Sequence, residues 1–456
     1  MNLDSIKKIH MVGIGGIGVS GLARMMLVMG KEVSGSDVVD SPIVSDLNEK
    51  GAQIFLEHDI NNVSKDIDLL VYSSAVPPDN PEIGAAQKYG KKQLSYHQFL
   101  GQLMVDKYGI AISGTNGKST VTAMIGLILL KAGLDPTVTV GTNIAEFDGN
   151  SRWGQSKYFV AEACEYQAHM LELNPAAIVL TNISKDHLDF YKGLDDIVAH
   201  FQKFVDKLKP DGKLIINNDD NNLNKLATSS ELITYGIDND SDLLAKDITI
   251  GSEEQMFNLI WKGEDLGQFK LAIPSRFNIY NSLASAATCL NLGVDPGVIK
   301  EFLGSFTGLW RRFQLIGAIN GVKVISDYAH HPDAIKGIIQ GIKDFYPQKR
   351  LVVVFQPHQH ARTKTLFNEF VDSFTGADLL ILSEIYHVVG REQPQYQDVS
   401  SKDLYDKVKN KMTNVFYAKD LQEAKNLVEE NLGSDDLLLI LGAGDIYKVG
   451  QELIKK

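Results

Sequence analysis

The stretch with the clearest chemistry is residues 108–132, Tyr-Gly-Ile-Ala-Ile-Ser-Gly-Thr-Asn-Gly-Lys-Ser-Thr followed by an apolar run that stops at Lys131. Ile110 to Ile112 reads as a buried strand, Gly114 and Gly117 as a turn, and the residues from Ser119 onward as a helix. That succession can cradle phosphate, because glycines let backbone N–H groups approach and the helix N-terminus adds positive potential. Thr115 and Asn116 complete the loop and Lys118 reaches the terminal phosphates. The hydroxyl of Ser119 or Thr120 can hold a phosphate-bound Mg²⁺. The full P-loop pattern wants glycine five residues before Gly117, where Ile112 stands; the shorter Gly-x-x-Gly-Lys-Ser form is what is present. The bland alternative is an ordinary glycine-rich strand-to-helix turn.

The same theme occurs at the N-terminus. Lys8 to Val12 reads as a strand, and Gly13, Gly15, Gly16 and Gly18 as the turn into a helix. Glu32 to Asp37 reads as a second strand with Ser36 and the acid Asp37 at its end. This satisfies Gly-x-Gly-x-x-Gly with an acid about 20 residues on, a Rossmann-like unit whose loop holds a pyrophosphate. A nicotinamide dinucleotide and a nucleotide sugar are both compatible with it. A further strand from Asp68 ends in Ser73, Ser74 and a Pro-Pro turn; these hydroxyls either contact a ligand or belong to a plain loop.

Three strand candidates follow the phosphate loop, and two of them end in chemistry. Lys157–Ala161 runs into Glu162, and Ala176–Thr181 leads to Asp186 and His187. Ligands collect at the carboxyl edge of a parallel sheet, so Lys118, Glu162 and His187 are expected together, with a carboxylate and an imidazole beside phosphate suggesting Mg²⁺ or Mn²⁺. Asn278 and Asn281 lie one helical turn apart and either read the edge of adenine or cap their helix. Arg311 and Arg312 suit polyphosphate contact. Strands at Lys323–Ser326, Leu351–Phe355, Leu379–Leu382 and Leu437–Leu441 build a third α/β unit. The first leads to Asp327, Tyr328 and His330, the second to His358 and Arg362. The histidines carry no cysteine partners or compact repeat of spacing, which argues against zinc.

A chain of 456 residues exceeds one hydrophobic core, so two or three domains are expected. Hydrophobic content of 44% with 22% charged residues is that of a globular protein in water, and a net charge of −12 excludes a broad basic field for nucleic acid or anionic lipid. The two cysteines, Cys164 and Cys289, make no framework. The N-terminal apolar stretch is broken by glycines and Arg24, and the helix after Lys118 is too short to span a bilayer. The expected compartment is the cytoplasm, with no membrane partner.

Taken in order, these motifs resemble the Mur ligase family, the ATP-dependent amide-forming enzymes of peptidoglycan precursor synthesis. The likeness covers nearly the whole chain. It runs from Gly-Ile-Gly-Gly-Ile-Gly through Gly-Thr-Asn-Gly-Lys-Ser-Thr, Glu-Ala-Cys-Glu-Tyr at 162–166 and Asp-His-Leu-Asp at 186–189. It continues with Phe-Asn-x-x-Asn at 277–281, Arg-Arg-Phe at 311–313, Asp-Tyr-Ala-His-His-Pro at 327–332 and Phe-Gln-Pro-His at 355–358. The first and last of these favour the alanine-adding branch.

The resemblance implies an α/β fold in three domains. These are a Rossmann-like UDP-sugar domain at 1–105, a central, mostly parallel P-loop ATPase-like domain at 106–308 and a doubly wound Rossmann-like domain at 309–456. It implies ATP, Mg²⁺ (or Mn²⁺), UDP-N-acetylmuramate and L-alanine as ligands, acting on a monomer or weak homodimer. Lys118, Ser119 and Thr120 would grip phosphate and metal, with Glu162 and His187 as further metal ligands. Asn278 and Asn281 would read adenine, Arg312 the γ-phosphate, and Asp327 with His330 the ribose side of ATP. Tyr328, His358 and Arg362 would line the amino-acid pocket, and His187 or His330 would take the proton from the amine. Gly13, Gly15, Gly16, Gly18, Ser36, Asp37 and Ser74 would hold the UDP-sugar. Departures from the usual pattern are Asn116 for His, Cys164 for Asp, and Gln359 where some relatives carry Arg. A nicotinamide-dependent oxidoreductase, a non-catalytic nucleotide-sugar sensor and a sibling ligase that attaches a peptide are the rival readings.

Overall fold

The computed structural model describes residues 3–387 and 396–455. The sequence forms three α/β lobes, each around its own sheet. The first sheet has five strands, β1 (Lys8–Val12), β2 (Glu32–Ser36), β3 (Gln53–Phe55), β4 (Leu69–Tyr72) and β5 (Lys92–Ser95), in the order β3-β2-β1-β4-β5 with every pairing parallel. The change of direction on either side of β1 makes its carboxyl end a switch point, where a doubly wound sheet binds its ligand. The glycine turn leaves the sheet there.

The central sheet is built on β6 (Tyr108–Ser113), β7 (Thr137–Ile144), β8 (Gly149–Arg152), β9 (Tyr158–Glu162), β10 (Ala177–Leu180), β11 (Lys213–Asn217) and β12 (Glu231–Gly236). Their order is β12-β11-β10-β6-β9-β7-β8, parallel except for β8 at the edge. β6, β9 and β10 sit inside and read as unbroken apolar runs, as strands covered on both faces must. β13 (Leu243–Gly251) pairs parallel with β12, and β14 (Glu254–Trp261) and β15 (Glu264–Leu271) follow in the chain.

The last sheet comprises β16 (Gln314–Ile319), β17 (Val322–Asp327), β18 (Arg350–Phe355), β19 (Leu379–Ser383), β20 (Val415–Ala418) and β21 (Asp436–Leu441). They run in the order β16-β17-β21-β18-β19-β20, antiparallel only at the β16 edge. A core of Val324, Val352, Val354, Leu438 and Ile440 fills one face.

By compactness the chain divides into two units. One is Met1–Ala245 with Leu259–Leu266 and Tyr280–Phe302; the other is Lys246–Asn258 with Gly267–Ile279 and Leu303–Lys456. The first unit joins the first two sheets because one apolar core runs through both, from Ile9, Leu22 and Met26 through Phe99 and Leu103 to Ala161, Phe201 and Leu214. Polar ties reinforce that seam. Arg24 donates to Asp46 and, at 2.9 Å, to the Asn150 carboxamide, and the Ser151 hydroxyl donates to the Gly21 carbonyl at 2.8 Å. Among the described residues no helix is long and apolar enough to cross a membrane.

Candidate active site

β6 ends at Ser113, and the helix Lys118–Lys131 begins after a four-residue loop. Glycine is required at two positions of that loop. Gly117, at the helix N-cap, has φ +86°, and a Cβ there would meet Asn281 Oδ1 at 2.4 Å; at Gly114, φ +135°, a Cβ would lie 2.1 Å from Thr181 Oγ1. The helix itself is buried from Ser119 to Leu129, so its N-terminal N–H groups are fixed by the core behind them. Ser119 and Thr120, in its first turn, are buried.

The neighbouring strand supplies the scaffold. β10 lies beside β6, and the segment after it grips the loop. Asn182 accepts from the Asn116 N–H at 3.0 Å and donates to the Asn116 carbonyl at 2.9 Å; Thr181 Oγ1 donates to that carbonyl at 2.6 Å. The Ser184 N–H donates to Thr115 Oγ1 at 2.9 Å. Thr181, Asn182 and Ser184 thus shape the loop, a task that sequence reading did not assign them.

Lys118 is folded back over its own loop. Its Nζ donates to the carbonyls of Gly114 at 2.7 Å and Thr115 at 3.0 Å, and to Glu165 Oε1 at 2.9 Å, with Glu165 Oε2 also 2.9 Å away. Burial alone would lower the lysine's pKa, but the Glu165 charge outweighs it and raises the pKa above the usual value. Burial would likewise raise Glu165, and Lys118 with His187 outweigh it and hold the carboxylate below its ordinary range. Both groups are charged. The Tyr191 hydroxyl donates to the Glu165 carbonyl and fixes the segment.

His187 Nε2 stands 3.6 Å from Glu165 Oε1, and its residue adopts φ +51°, a left-handed conformation that costs a non-glycine residue about 1 kcal/mol or more. Ligand atoms of Glu165, Asp186 and His187 all lie within 4.8 Å of one another. Apart from its ion pair with Lys118, Glu165 Oε2 is buried without a hydrogen-bond partner, so the set has an oxygen to offer; carboxylates with one imidazole fit Mg²⁺ or Mn²⁺. Sequence reading gave the acidic ligand as Glu162. In the structure Glu162 ends β9 and accepts the Gly141 N–H at 2.7 Å, and the acid beside His187 is Glu165. Both acids stand in the Glu-Ala-Cys-Glu motif, and nothing in its spacing tells which of them faces the lysine.

In the first lobe the glycine turn hangs from β2. Gly13 and Ile14 donate to the Ser36 carbonyl at 2.8 and 3.0 Å, and Gly15 donates to Asp37 Oδ2 at 2.9 Å. Asp37 is therefore the turn's own acceptor. Ser36, expected among the sugar-nucleotide residues, is fully buried, and its hydroxyl donates to Glu82. Gly18 packs under the Tyr96 ring, Gly16 caps the following helix, and Ser74 is exposed in the turn after β4.

The second unit gathers its own group. Arg312 stacks its guanidinium over the Tyr328 ring at 4.7 Å, His330 Nδ1 lies 2.9 Å from the Tyr328 carbonyl, and the His330 and His358 rings are 6.0 Å apart. His358 stacks on Tyr386 and accepts from Arg362 through its carbonyl at 3.4 Å. Asp327 accepts the N–H groups of Phe313 and Ala329, each at 2.8 Å, and burial pushes its pKa up against the pull of Arg312. Arg311, the other half of the arginine pair, is turned inward to the Gly442 and Gly444 carbonyls and packs among Trp310, Tyr328 and Tyr447. Asn278 donates to the Pro274 carbonyl at 2.7 Å, whereas Asn281 stands against the phosphate loop.

A parallel sheet that presents a phosphate loop, a neutralised lysine and a carboxylate–imidazole cluster along one edge defines a nucleotide-phosphate-binding α/β protein of the P-loop type. Three profiles of one family match it in succession: the Mur ligase family catalytic domain over residues 8–108, the Mur ligase middle domain over 112–289, and the Mur ligase glutamate ligase domain over 311–444. The UDP-N-acetylmuramate–L-alanine ligase of Caldanaerobacter subterraneus is 40% identical over 100% of this chain and 99% of its own, and that of Lachnospira eligens 42% identical over 98% of each. The chain belongs to the Mur ligase family. Its structure is also similar to the UDP-N-acetylmuramate–alanine ligase of Thermotoga maritima, with TM-score 0.84 and 28% identity over 98% of each chain. A murein peptide ligase of Psychrobacter arcticus shares the fold, with TM-score 0.72 and 24% identity over 98% of each chain.

Proposed function

We propose that this protein is an ADP-forming ligase that joins the lactyl carboxylate of UDP-N-acetylmuramate to the amine of L-alanine, consuming ATP and releasing ADP and phosphate in the cytoplasm. Full-length similarity at 40–42% identity to ligases of that name supports the reaction. The observation in the structure that carries it is the placement of Lys118, Glu165 and His187 around one glycine-shaped loop.

A carboxylate is a poor acyl donor, so the γ-phosphoryl group must pass to it first and give an acyl phosphate. Little covalent chemistry falls to the protein in such a transfer; it positions groups and offsets charge. The N–H groups at the start of the helix Lys118–Lys131 and the Lys118 ammonium do this for the phosphates, and Lys118 exchanges Glu165 for them as they arrive. Glu162, Glu165 and His187, with Ser119 and Thr120, would hold Mg²⁺ or Mn²⁺, which when bound screens the triphosphate charge. The amine then attacks the acyl carbon, phosphate leaves, and the amine proton passes to His330, or to His187 when that imidazole is not bound to the metal. Effective concentration matters because water competes for the acyl phosphate. The reading keeps Asn278, Asn281, Arg312 and Asp327 for ATP, and Tyr328, His358 and Arg362 for the amino acid. It takes the enzyme as a monomer or weak homodimer.

ADP release with UDP-N-acetylmuramate and L-alanine, glycine, L-serine or a tripeptide as acceptor tests it. L-alanine is expected to give the highest kcat/KM. Preference for the tripeptide would move the protein to the peptide-adding branch, and no ADP release with any acceptor would end the proposal.

A further inference from the structure

Glu82 is a fully buried carboxylate that the chemistry above does not use. It sits in the first turn of the helix Pro81–Lys88, on the lobe that carries the glycine turn. Three other chain segments converge on it. From β2, the Ser36 hydroxyl donates to its Oε2, and from β1, His10 Nε2 lies 3.4 Å from the same oxygen. From the segment after β3, Asn62 Nδ2 donates to Oε1 at 2.7 Å and the Asp59 N–H at 3.3 Å; His58 Nδ1 lies 2.9 Å from the Ser36 hydroxyl. His10 Nδ1 is in turn 2.9 Å from the Ser34 hydroxyl.

A buried charge is tolerated only where donors surround it. Burial works to raise the Glu82 pKa, while His10, Ser36 and Asn62 outweigh it and keep the group ionised. An apolar side chain could pack the same space with less risk, so the acid is best explained by what it holds in place. That is legible in the next bonds outward. Ser36, gripped by Glu82 through its hydroxyl, presents its carbonyl to the N–H groups of both Gly13 and Ile14. The turn that would receive the pyrophosphate of the sugar nucleotide thus hangs from a residue anchored by Glu82, and the 58–62 segment is drawn to the same carboxylate.

We propose that Glu82 is a positioning residue for the sugar nucleotide, acting through Ser36 on the glycine turn and through Asn62 on the segment after β3. This rests on the reading of that turn as the sugar-nucleotide site. Glu82→Gln keeps an acceptor for Asn62 and sets an amide against the Ser36 hydroxyl. The expected result is a KM for UDP-N-acetylmuramate raised about tenfold or more, as for loss of one charge-assisted hydrogen bond, with kcat and the KM values for ATP and L-alanine unmoved. Ser36→Ala cuts the same link from the other side with little change in volume and is expected to raise the same KM; the double variant should be no worse than the larger single effect. A lowered melting temperature with the KM unchanged in the variants that fold, or a uniform fall in kcat, would make the cluster merely structural and overturn the proposal. Should Glu82→Gln not fold, Ser36→Ala decides alone. Calorimetric titration of the wild-type protein with UDP-N-acetylmuramate separates the two readings: absence of binding there removes the site itself, whereas wild-type binding equalled by the variants removes only the role of Glu82.

Discussion

The Lys118 ammonium lies 2.9 Å from both carboxylate oxygens of Glu165, and it is this buried acid, three residues beyond the end of β9, that neutralises the phosphate loop before any phosphate arrives. On the proposed reading, an incoming triphosphate displaces that carboxylate. At 5 Å and an effective dielectric of about 20, the repulsion between a carboxylate and one phosphate charge is roughly 3 kcal/mol before screening. Glu165→Gln is therefore expected to bind ATP about tenfold tighter in the presence of chelator, measured with a fluorescent analogue, while its turnover with metal falls by a hundredfold or more. Weaker metal-free binding would instead mean that the acid preorganises the loop for ATP.

The same carboxylate is one corner of the Glu165–Asp186–His187 cluster, so metal affinity should respond in the opposite direction. EDTA should abolish ADP release, and Mn²⁺ should restore it. By electron paramagnetic resonance, Mn²⁺ binding to the enzyme–ATP complex should weaken about 10- to 100-fold in His187→Ala and in Glu165→Gln. Unchanged Mn²⁺ affinity in both variants would place the ion elsewhere. Glu162→Gln belongs in the same series: its carboxylate is already engaged by the Gly141 N–H, so a smaller loss of Mn²⁺ affinity than in Glu165→Gln would rank Glu165 as the principal acidic ligand.

Much of this was legible in the amino-acid sequence. Lys118, Gly114 and Gly117 announce themselves because one chemistry demands those residue types at that spacing, and the strands β6, β10, β18 and β21 stand out as unbroken apolar runs between glycine or polar turns. Other features leave no local trace. The resemblance places Ser36 in the sugar-nucleotide set, yet its hydroxyl's partner Glu82 lies 46 residues away on another element. Glu165 and Glu162 differ only in how the backbone turns after β9, where Gln167 and Ala168 both take left-handed conformations that no glycine signals. The division into units was hidden likewise, because the helix Tyr96–Met104 buries Phe99 and Leu103 in a core shared with the central sheet.

Two adjacent arginines have opposite surroundings, and their variants should separate accordingly. Arg311 is 5% exposed, donates to the Gly442 and Gly444 carbonyls and stands over three aromatic rings, whereas Arg312 lies partly open above Tyr328. Arg311→Ala removes the donor from two buried carbonyls together with the cation–π contacts and should destabilise the second unit by about 2–4 kcal/mol, seen as an earlier denaturation transition. Arg312→Ala should leave that transition within about 0.5 kcal/mol and act instead on turnover, raising the KM for ATP or lowering kcat. A thermal shift shared equally by the two would contradict this division of labour.

Acid sensitivity should trace in part to Asp219. Its carboxylate accepts the N–H groups of Ile237 at 2.7 Å, Asp238 at 3.0 Å and Asn239 at 2.7 Å, and the Tyr280 hydroxyl at 2.9 Å. Partial burial works to raise its pKa, but these four donors outweigh it and the folded value falls below the ordinary 3.8. A group whose pKa is depressed on folding stabilises the folded state above its unfolded pKa and loses that contribution as pH falls through the folded one. Asp219→Asn, which replaces a charged acceptor by a neutral amide, should therefore lower the melting temperature most at pH 6–7. The gap from wild type should close as the pH falls below the ordinary carboxylate range and through the lowered folded value, where the native carboxyl is protonated too. A difference that stayed constant from pH 7 to pH 3 would assign the effect to packing around residue 219 rather than to its charge.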